Sequence, residues 1–430
     1  MKKILAALCA TALLGAIASA PAGATNGMEM IGTNPRSTGM GGADVAADSD
    51  ASAVSGNPAL ICGCAPNSAS IGFTVLLPHL NMTSMGGAND VDGEQQSFIM
   101  PQLGYVHHLG QSPFTVGVGL YAQGGMGVNF RDVNTGMGTQ DELYSQVAFM
   151  RLNPILAYQA TDWATFGATA MIGYAKMKFS FFPNTYSAGM DGKPGTGDDF
   201  AGMKIKDLSS LGLAGRVGAQ FKVGPQVRLG ATYTSKTDLS LDGGEATLNF
   251  GQMKAKYDAE MSNFTWPQEV EFGVAYLPIR GLTLAADAKW INWSDAVKRP
   301  VLKLSSPDSA NAPGAIEVPF AMNWDDQWVF AIGAEYVINP VHTVRVGYNY
   351  GKNPVPDNYL NPLFPAIVEQ HVTLGYGATM GKWLFDVAYE HAFENSQTNN
   401  NTTPSENPFG PGLEVSHSQD TITASATYRY

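Results

Sequence analysis

The side chains of this chain that could do chemistry are few and far apart. Cys62 and Cys64 flank a single glycine. In an oxidising compartment so close a pair can form a disulfide, strained and therefore easily reduced. Two free thiols, or a metal or redox role, are the other readings. Asp191, Asp198 and Asp199 bracket a glycine-rich stretch, Asp191-Gly192-Lys193-Pro194-Gly195-Thr196-Gly197-Asp198-Asp199. Ca²⁺ favours several oxygens on a flexible, tightly turning backbone, although a solvated acidic turn has the same composition. Neither group is catalytic. The chain has no G-x-S-x-G elbow, no H-E-x-x-H and no zinc-type Cys/His spacing. Gly381-Lys382 is followed by Trp383 and lacks the earlier glycine of a phosphate loop. The 7 histidines are scattered, with His107-His108 beside a tight turn. The sequence does not read as an enzyme, and no cofactor is expected.

The elements that would position these groups are strands. From Thr421 to Tyr430 the chain alternates strictly: Ile422, Ala424, Ala426, Tyr428 and Tyr430 fall on one face, and Thr421, Thr423, Ser425, Thr427 and Arg429 on the other. An amphipathic last strand with an aromatic final residue suits a membrane β-barrel, whose last strand must pair with its first to abolish the edge. The N-terminus agrees. Lys2 and Lys3 precede an apolar run from Ile4 to Ile17 and a small-residue site at Ala22-Gly23-Ala24, so residues 1–24 read as a secretory signal peptide. After residue 24 no stretch approaches ~18 consecutive apolar residues, which excludes helical membrane spans. The formal net charge of −12 argues against nucleic acid as a partner.

Period-2 segments recur at 68–82, 97–109, 113–124, 143–159, 163–182, 207–223, 225–243, 259–277, 281–294, 324–337, 341–351, 367–379, 383–393 and 416–430. Tight connections such as Gly110-Gln111-Ser112, Ala160-Thr161-Asp162, Val223-Gly224-Pro225, Pro278-Ile279-Arg280, Ile338-Asn339-Pro340 and Met380-Gly381-Lys382 alternate with longer ones. Short turns on one side and long loops on the other define an outer-membrane barrel, with turns periplasmic and loops extracellular. A large soluble β-sandwich could show the same alternation; the signal peptide, loop asymmetry and aromatic terminus disfavour it. Charges near the bilayer midplane cost several kcal/mol, so Asp287, Lys289 and Arg345 must face the lumen. By facing alone, Arg151, Lys289 and Arg345 are the cations that could hold a carboxylate headgroup. Methionine is frequent at 18 residues, and flexible thioethers suit a pocket for varied apolar shapes.

Residues 25–67 do not read as a strand. They include Gly39-Met40-Gly41-Gly42-Ala43 and Ser55-Gly56-Asn57-Pro58-Ala59-Leu60. With Trp266-Pro267-Gln268-Glu269-Val270-Glu271-Phe272-Gly273-Val274-Ala275-Tyr276, then Leu282 to Ser294 and Asn353-Pro354-Val355-Pro356, they resemble the long-chain fatty-acid transporter family of outer-membrane proteins (FadL/TodX type). The resemblance implies an all-β fold, a transmembrane antiparallel β-barrel of about fourteen strands over 68–430, with 25–67 as an N-terminal hatch inside it. It implies a hatch motif at Asn57, Pro58 and Ala59. It also implies capture of a hydrophobic molecule by extracellular loops and lateral exit where the third strand kinks. Glycine in a strand permits a bend or bulge, so Gly124 and Gly125 are the kink candidates, in a chain where glycines are common.

The expected function is passive transport of long-chain fatty acids, or of aromatic hydrocarbons, across the outer membrane. A general porin is the rival; it would lack a hatch and carry a constriction of opposed charges, whereas charged residues are 14% here. Expected partners besides the hydrophobic ligand are outer-membrane lipid, lipopolysaccharide and the barrel-assembly machinery, with the chain acting as a monomer.

Overall fold

The computed structural model describes residues 26–47, 50–64, 67–189 and 199–430; the expected signal peptide lies outside them. Fourteen antiparallel strands form the wall. They are β1 (Ser68–Ser84), β2 (Phe98–His108), β3 (Phe114–Asn134), β4 (Gln140–Gln159), β5 (Ala164–Ser187), β6 (Phe200–Val223) and β7 (Val227–Thr234). Then come β8 (Glu269–Tyr276), β9 (Leu282–Ile291), β10 (Gln327–Val337), β11 (His342–Gly351), β12 (Gln370–Met380), β13 (Trp383–Asn399) and β14 (Leu413–Arg429). β1 pairs with β14 from Ser68 opposite Arg429 to Thr83 opposite Glu414, which closes the sheet. Closure satisfies the backbone groups that a bilayer cannot. Large apolar side chains such as Leu152, Ile172, Leu211, Leu213, Ile332 and Leu374 stand exposed on the outer face, where lipid covers them.

The predicted tight turns are present on one rim, at 109–113, 160–163, 224–226, 277–281, 338–341 and 381–382. Gly381 shows why the last can be so short: its φ is +62°, and nothing lies within 4 Å of where a Cβ would point. The other rim differs from the sequence reading. β3 runs to Asn134 rather than ending at 124, and β13 runs to Asn399 rather than 393. Above the membrane the outer face need not be apolar, so alternation fades while the backbone ladder continues. The expected strands 225–243 and 259–277 are each broken. Separate strands Leu241–Asn249 and Lys254–Ser262 pair with each other, and Phe264 and Trp266, between Lys254–Ser262 and β8, are buried in the core.

Residues 26–47 and 50–64 lie against the inner wall. A one-turn helix, α1 (Pro35–Gly39), packs on β11 to β14, and its first turn is capped by Asn34, which accepts from the Ser37 amide at 2.9 Å. The 3₁₀ turn Ala51–Ser55 contacts β2 and β3, and the turn Pro58–Gly63 contacts β4 to β6.

Closure yields a first testable outcome. Tyr428 sits opposite Ala69 on one side and Trp383 on the other, and the Tyr430 amide donates to the Asn67 carbonyl at 2.9 Å. Deleting Tyr428 to Tyr430 removes these ladder bonds, each worth about 1 kcal/mol, together with the interfacial aromatic stack. Outer-membrane levels of the heat-modifiable barrel should fall sharply; wild-type levels on a gel of the membrane fraction would contradict this.

Candidate functional site

The inner wall holds the N-terminal segment through buried charges. Glu29 is fully buried; Trp266 Nε1 donates to its Oε1 at 2.8 Å and Lys289 Nζ to its Oε2 at 3.0 Å. The same Nζ lies 3.0 Å from Glu269 and 3.2 Å from Glu271, while Arg216 Nη2 is 3.7 Å from Glu269. Burial, with the Glu269 charge adding to it, pushes the Glu29 carboxyl up to about 7. Arg216 also donates to the Ser55 and Gly56 carbonyls, at 3.1 Å to Gly56. Asp287 accepts from the Asp44 and Val45 amides at 2.7 and 2.8 Å.

A second lock lies on the α1 side. Arg36 grips Glu335 with both Nε and Nη2, at 2.9 and 2.7 Å, and Arg345 bridges Glu335 and Asp386 at 2.7 and 2.6 Å. Bidentate guanidinium–carboxylate pairs are among the stronger polar contacts.

Asn57 uses its whole side chain: Nδ2 donates to the Val45 and Ala219 carbonyls at 2.9 and 3.0 Å, and Oδ1 accepts from the Ala59 amide at 3.0 Å. Pro58 then opens the 3₁₀ turn. The wall makes room with glycine: a Cβ on Gly218 would sit 2.1 Å from Asn57 Oδ1, and one on Gly167 2.4 Å from the Pro58 carbonyl carbon and 2.6 Å from the Ala59 amide nitrogen.

The β2–β3 seam is open in its upper part. Pairing runs only from Thr115 opposite His108 to Tyr121 opposite Gln102. Beyond that, Phe98 to Pro101 pair with β1 alone, and residues 121–130, still paired with β4, are buried without alternation, as in a strand covered on both faces. The register on β4 shifts between Ala122 and Gly124, a bulge. Gly124 bridges to Glu29, and the Gly125 amide donates to the Met28 carbonyl at 3.1 Å. Leu76, Phe98, Met100 and Ala122, with Met30 and Met150 against them, line the inside of this seam.

Above the charges stands an aromatic column: Phe149, Trp266, Trp293 and Trp324, with ring centroids 4.6, 6.0 and 5.2 Å apart in turn. It borders an apolar cavity lined by Met28, Met177, Met261, Phe320, Met322 and Phe364, among others. The cavity is about 10 Å³, hardly enough for one water, so a ligand must move its thioethers aside. Met126 belongs to the same apolar core but does not line this cavity. Arg151 lies at the foot of the column, 4.9 Å from the Phe149 centroid and 1% exposed. Its Nη2 donates to Thr237 Oγ1 at 3.2 Å, while Nε and Nη1 have no partner among the described residues.

These contacts bear on three expectations. Lys289 and Arg345 do face inward, but carboxylates meet both, because they hold down the N-terminal segment and the wall; of the three candidate headgroup cations, Arg151 alone has buried donor nitrogens without a partner among the described residues. No disulfide joins Cys62 and Cys64. A 3₁₀ helix turns in three residues, so positions two apart leave it on different sides; Cys62 stays half-exposed, its thiol pushed up by burial, while Cys64 is buried against the Leu60 carbonyl. Of the acidic loop, Asp191 and Asp198 lie outside the described residues; Asp199 accepts from the Tyr186 hydroxyl at 3.1 Å, and no metal-type cluster occurs among the described residues.

A closed barrel of fourteen strands with an apolar exterior and a filled lumen is an outer-membrane protein. Residues 12–430 match the family described as outer membrane protein transport protein (OMPP1/FadL/TodX), and the chain belongs to it. No curated protein matches the chain. Among solved structures it is similar to the Pseudomonas putida toluene transporter TodX, at 22% identity and a TM-score of 0.78 over 93% of this chain and 99% of that one. The Ralstonia pickettii toluene transporter TbuX gives 23% and 0.72, over 93% and 98%. A Pseudomonas aeruginosa FadL homologue gives 19% and 0.75, over 94% and 99%.

Proposed function

We propose that the chain is a passive outer-membrane channel for hydrophobic compounds, long-chain fatty acids first, with residues 26–64 as the hatch. An acyl chain gains about 0.8 kcal/mol per CH₂ buried, so it partitions into the apolar cavity beneath the extracellular loops. Met28 lines that cavity, and Met30 packs at the β2–β3 seam. Displacing Met28 to Met30 would therefore join cavity to seam and let the ligand leave sideways into lipid. The observation that carries the fatty-acid reading is Arg151, a buried guanidinium with two unused donor nitrogens beside an apolar core. It suits a monocarboxylate and has no use for a hydrocarbon.

A second reading is an aromatic hydrocarbon channel, favoured by the Phe149–Trp324 column and by the toluene transporters of the same fold. Arg151→Met separates the two. Exchanging this buried guanidinium for an apolar side chain should leave the fold intact. Labelled oleate uptake should fall about tenfold or more, the effect of losing a charge-assisted hydrogen bond, while toluene uptake stays unchanged. Unchanged oleate uptake would hand the site to the hydrocarbon reading.

A further inference from the structure

The lumen has a second wall of different chemistry. On β11 to β14 the inward residues form level rows. Arg345, Gly375, Ala388 and Thr423 make one, Gly347, Thr373, Glu390 and Thr421 the next, and Asn349, His371, Ala392 and Gln419 the one above. His417 stands higher on β14. The upper two rows and His417 are polar and buried, yet Thr373 Oγ1, Glu390 Oε1, Asn349 Oδ1, Gln419 Oε1 and His417 Nε2 have no protein partner among the described residues. Both ring nitrogens of His371 are likewise without a partner among the described residues. Buried polar atoms are almost always hydrogen-bonded, and one left dry costs about 1–3 kcal/mol. Seven orphan atoms on adjoining strands would together be a heavy burden on the fold if nothing polar met them.

Both ends of this wall are closed. Below, Gly39 of α1 approaches Gly375 so nearly that a Cβ would come within 3.0 Å of the Gly375 Cα, and the Arg36–Glu335–Arg345–Asp386 lock lies in the lowest row. Above, the 352–369 loop folds into the barrel mouth, held by Asn395, Gln397 and Asn399, which donate to the Ile367, Val355 and Leu360 carbonyls at 2.7, 2.8 and 3.0 Å. His417 Nδ1 meets the Pro365 carbonyl at 3.2 Å.

We infer that β11 to β14 carry a hydrated track, separate from the apolar cavity, which conducts water and small uncharged polyols when the Arg36 lock opens. The orphan atoms are mainly acceptors, so the fitting solute brings donors. A cation is disfavoured, because Arg345 and Arg36 stand immediately below the one carboxyl group of the upper rows. The Met40–Gly41 backbone is seated on Gly347, where a Cβ would lie 2.2 Å from the Gly41 amide nitrogen, so the track for a three-carbon polyol runs beside it, past the small side chains Ala388 and Ala392.

The test is the swelling of liposomes bearing the full mature chain in iso-osmotic glycerol. Wild type should swell slowly. Arg36→Ala should raise the rate about tenfold, as expected for releasing a coupling of this size. Adding Thr373→Val and Glu390→Leu should return it to the wild-type rate, whereas adding Glu390→Gln, which keeps a polar side chain, should not. Oleate uptake by Thr373→Val/Glu390→Leu in the wild-type background should match wild type, which also certifies its fold. An unchanged rate in Arg36→Ala, or a raised rate that survives Thr373→Val/Glu390→Leu, overturns the hydrated track. Neither outcome touches the hydrophobic route, which the Arg151 experiment tests separately.

Discussion

Valine at Gly124 or Gly125 is expected to remove most hydrophobic uptake, by tenfold or more, while the barrel still assembles. A Cβ on Gly124 would lie 1.9 Å from the Met28 carbonyl oxygen, and one on Gly125 would lie 2.2 Å from the Val147 carbonyl oxygen. Both obstacles are backbone, which cannot swing away as a side chain does. Gly125→Val therefore attacks the bulge against β4 and favours a straight strand, closing the β2–β3 seam. Gly124→Val attacks the docking of Met28 and Glu29 as well. Gly125→Val should lower oleate uptake without sugar leakage, and Gly124→Val should lower uptake and leak. Heat-modifiability on a gel verifies the barrel in each case. Wild-type oleate uptake by both variants would show that the bend has no part in transport.

Lys289→Met should cost about 3–5 kcal/mol, because it leaves Glu29, Glu269 and Glu271 buried around a lost cation. Glu29 belongs to the N-terminal segment and the other two to the wall, so the lowest-cost relief is to expel the segment. Liposomes bearing the variant should release a small sugar faster than wild type, and the N-terminal segment should become accessible to protease. Adding Glu29→Gln should recover part of the stability, since it removes one uncompensated charge; a double-mutant cycle measures that coupling. If Lys289→Met neither leaks nor unfolds more easily in denaturant, the cluster does not hold the segment.

Much of the site was written in the stretches that carry the family resemblance, although their purpose was not. Trp266 and Glu269 lie in one such stretch and Asp287 and Lys289 in another, and each meets the N-terminal segment or the charges that hold it. Asn353 pins the mouth loop through Glu369, its Nδ2 donating at 2.9 Å. Glu29 and Arg216 lie outside those stretches. A single carboxylate in a small-residue run and a single guanidinium on an alternating strand carry no local signal, and a charge-balance argument over the inward positions would have been needed to find them.

The sequence by itself determined the wall. Alternation, tight turns and the aromatic terminus are local properties, and a bilayer leaves a chain with that pattern one way to bury its charges and satisfy its backbone. The tertiary structure decided which inward charges are used up and which remain. Lys289 meets Glu29 and Arg345 meets Glu335 with Arg36, while Arg151 and the upper rows of β11 to β14 are left with unmet polar atoms. The Lys289–Glu29 and Arg36–Glu335 pairings join residues 260 and 299 positions apart, and they exist only once the closed barrel brings every strand face onto one lumen. The open seam has the same origin: Gly124 and Gly125 permit a bend, but only the Met28 carbonyl seated against them uses it.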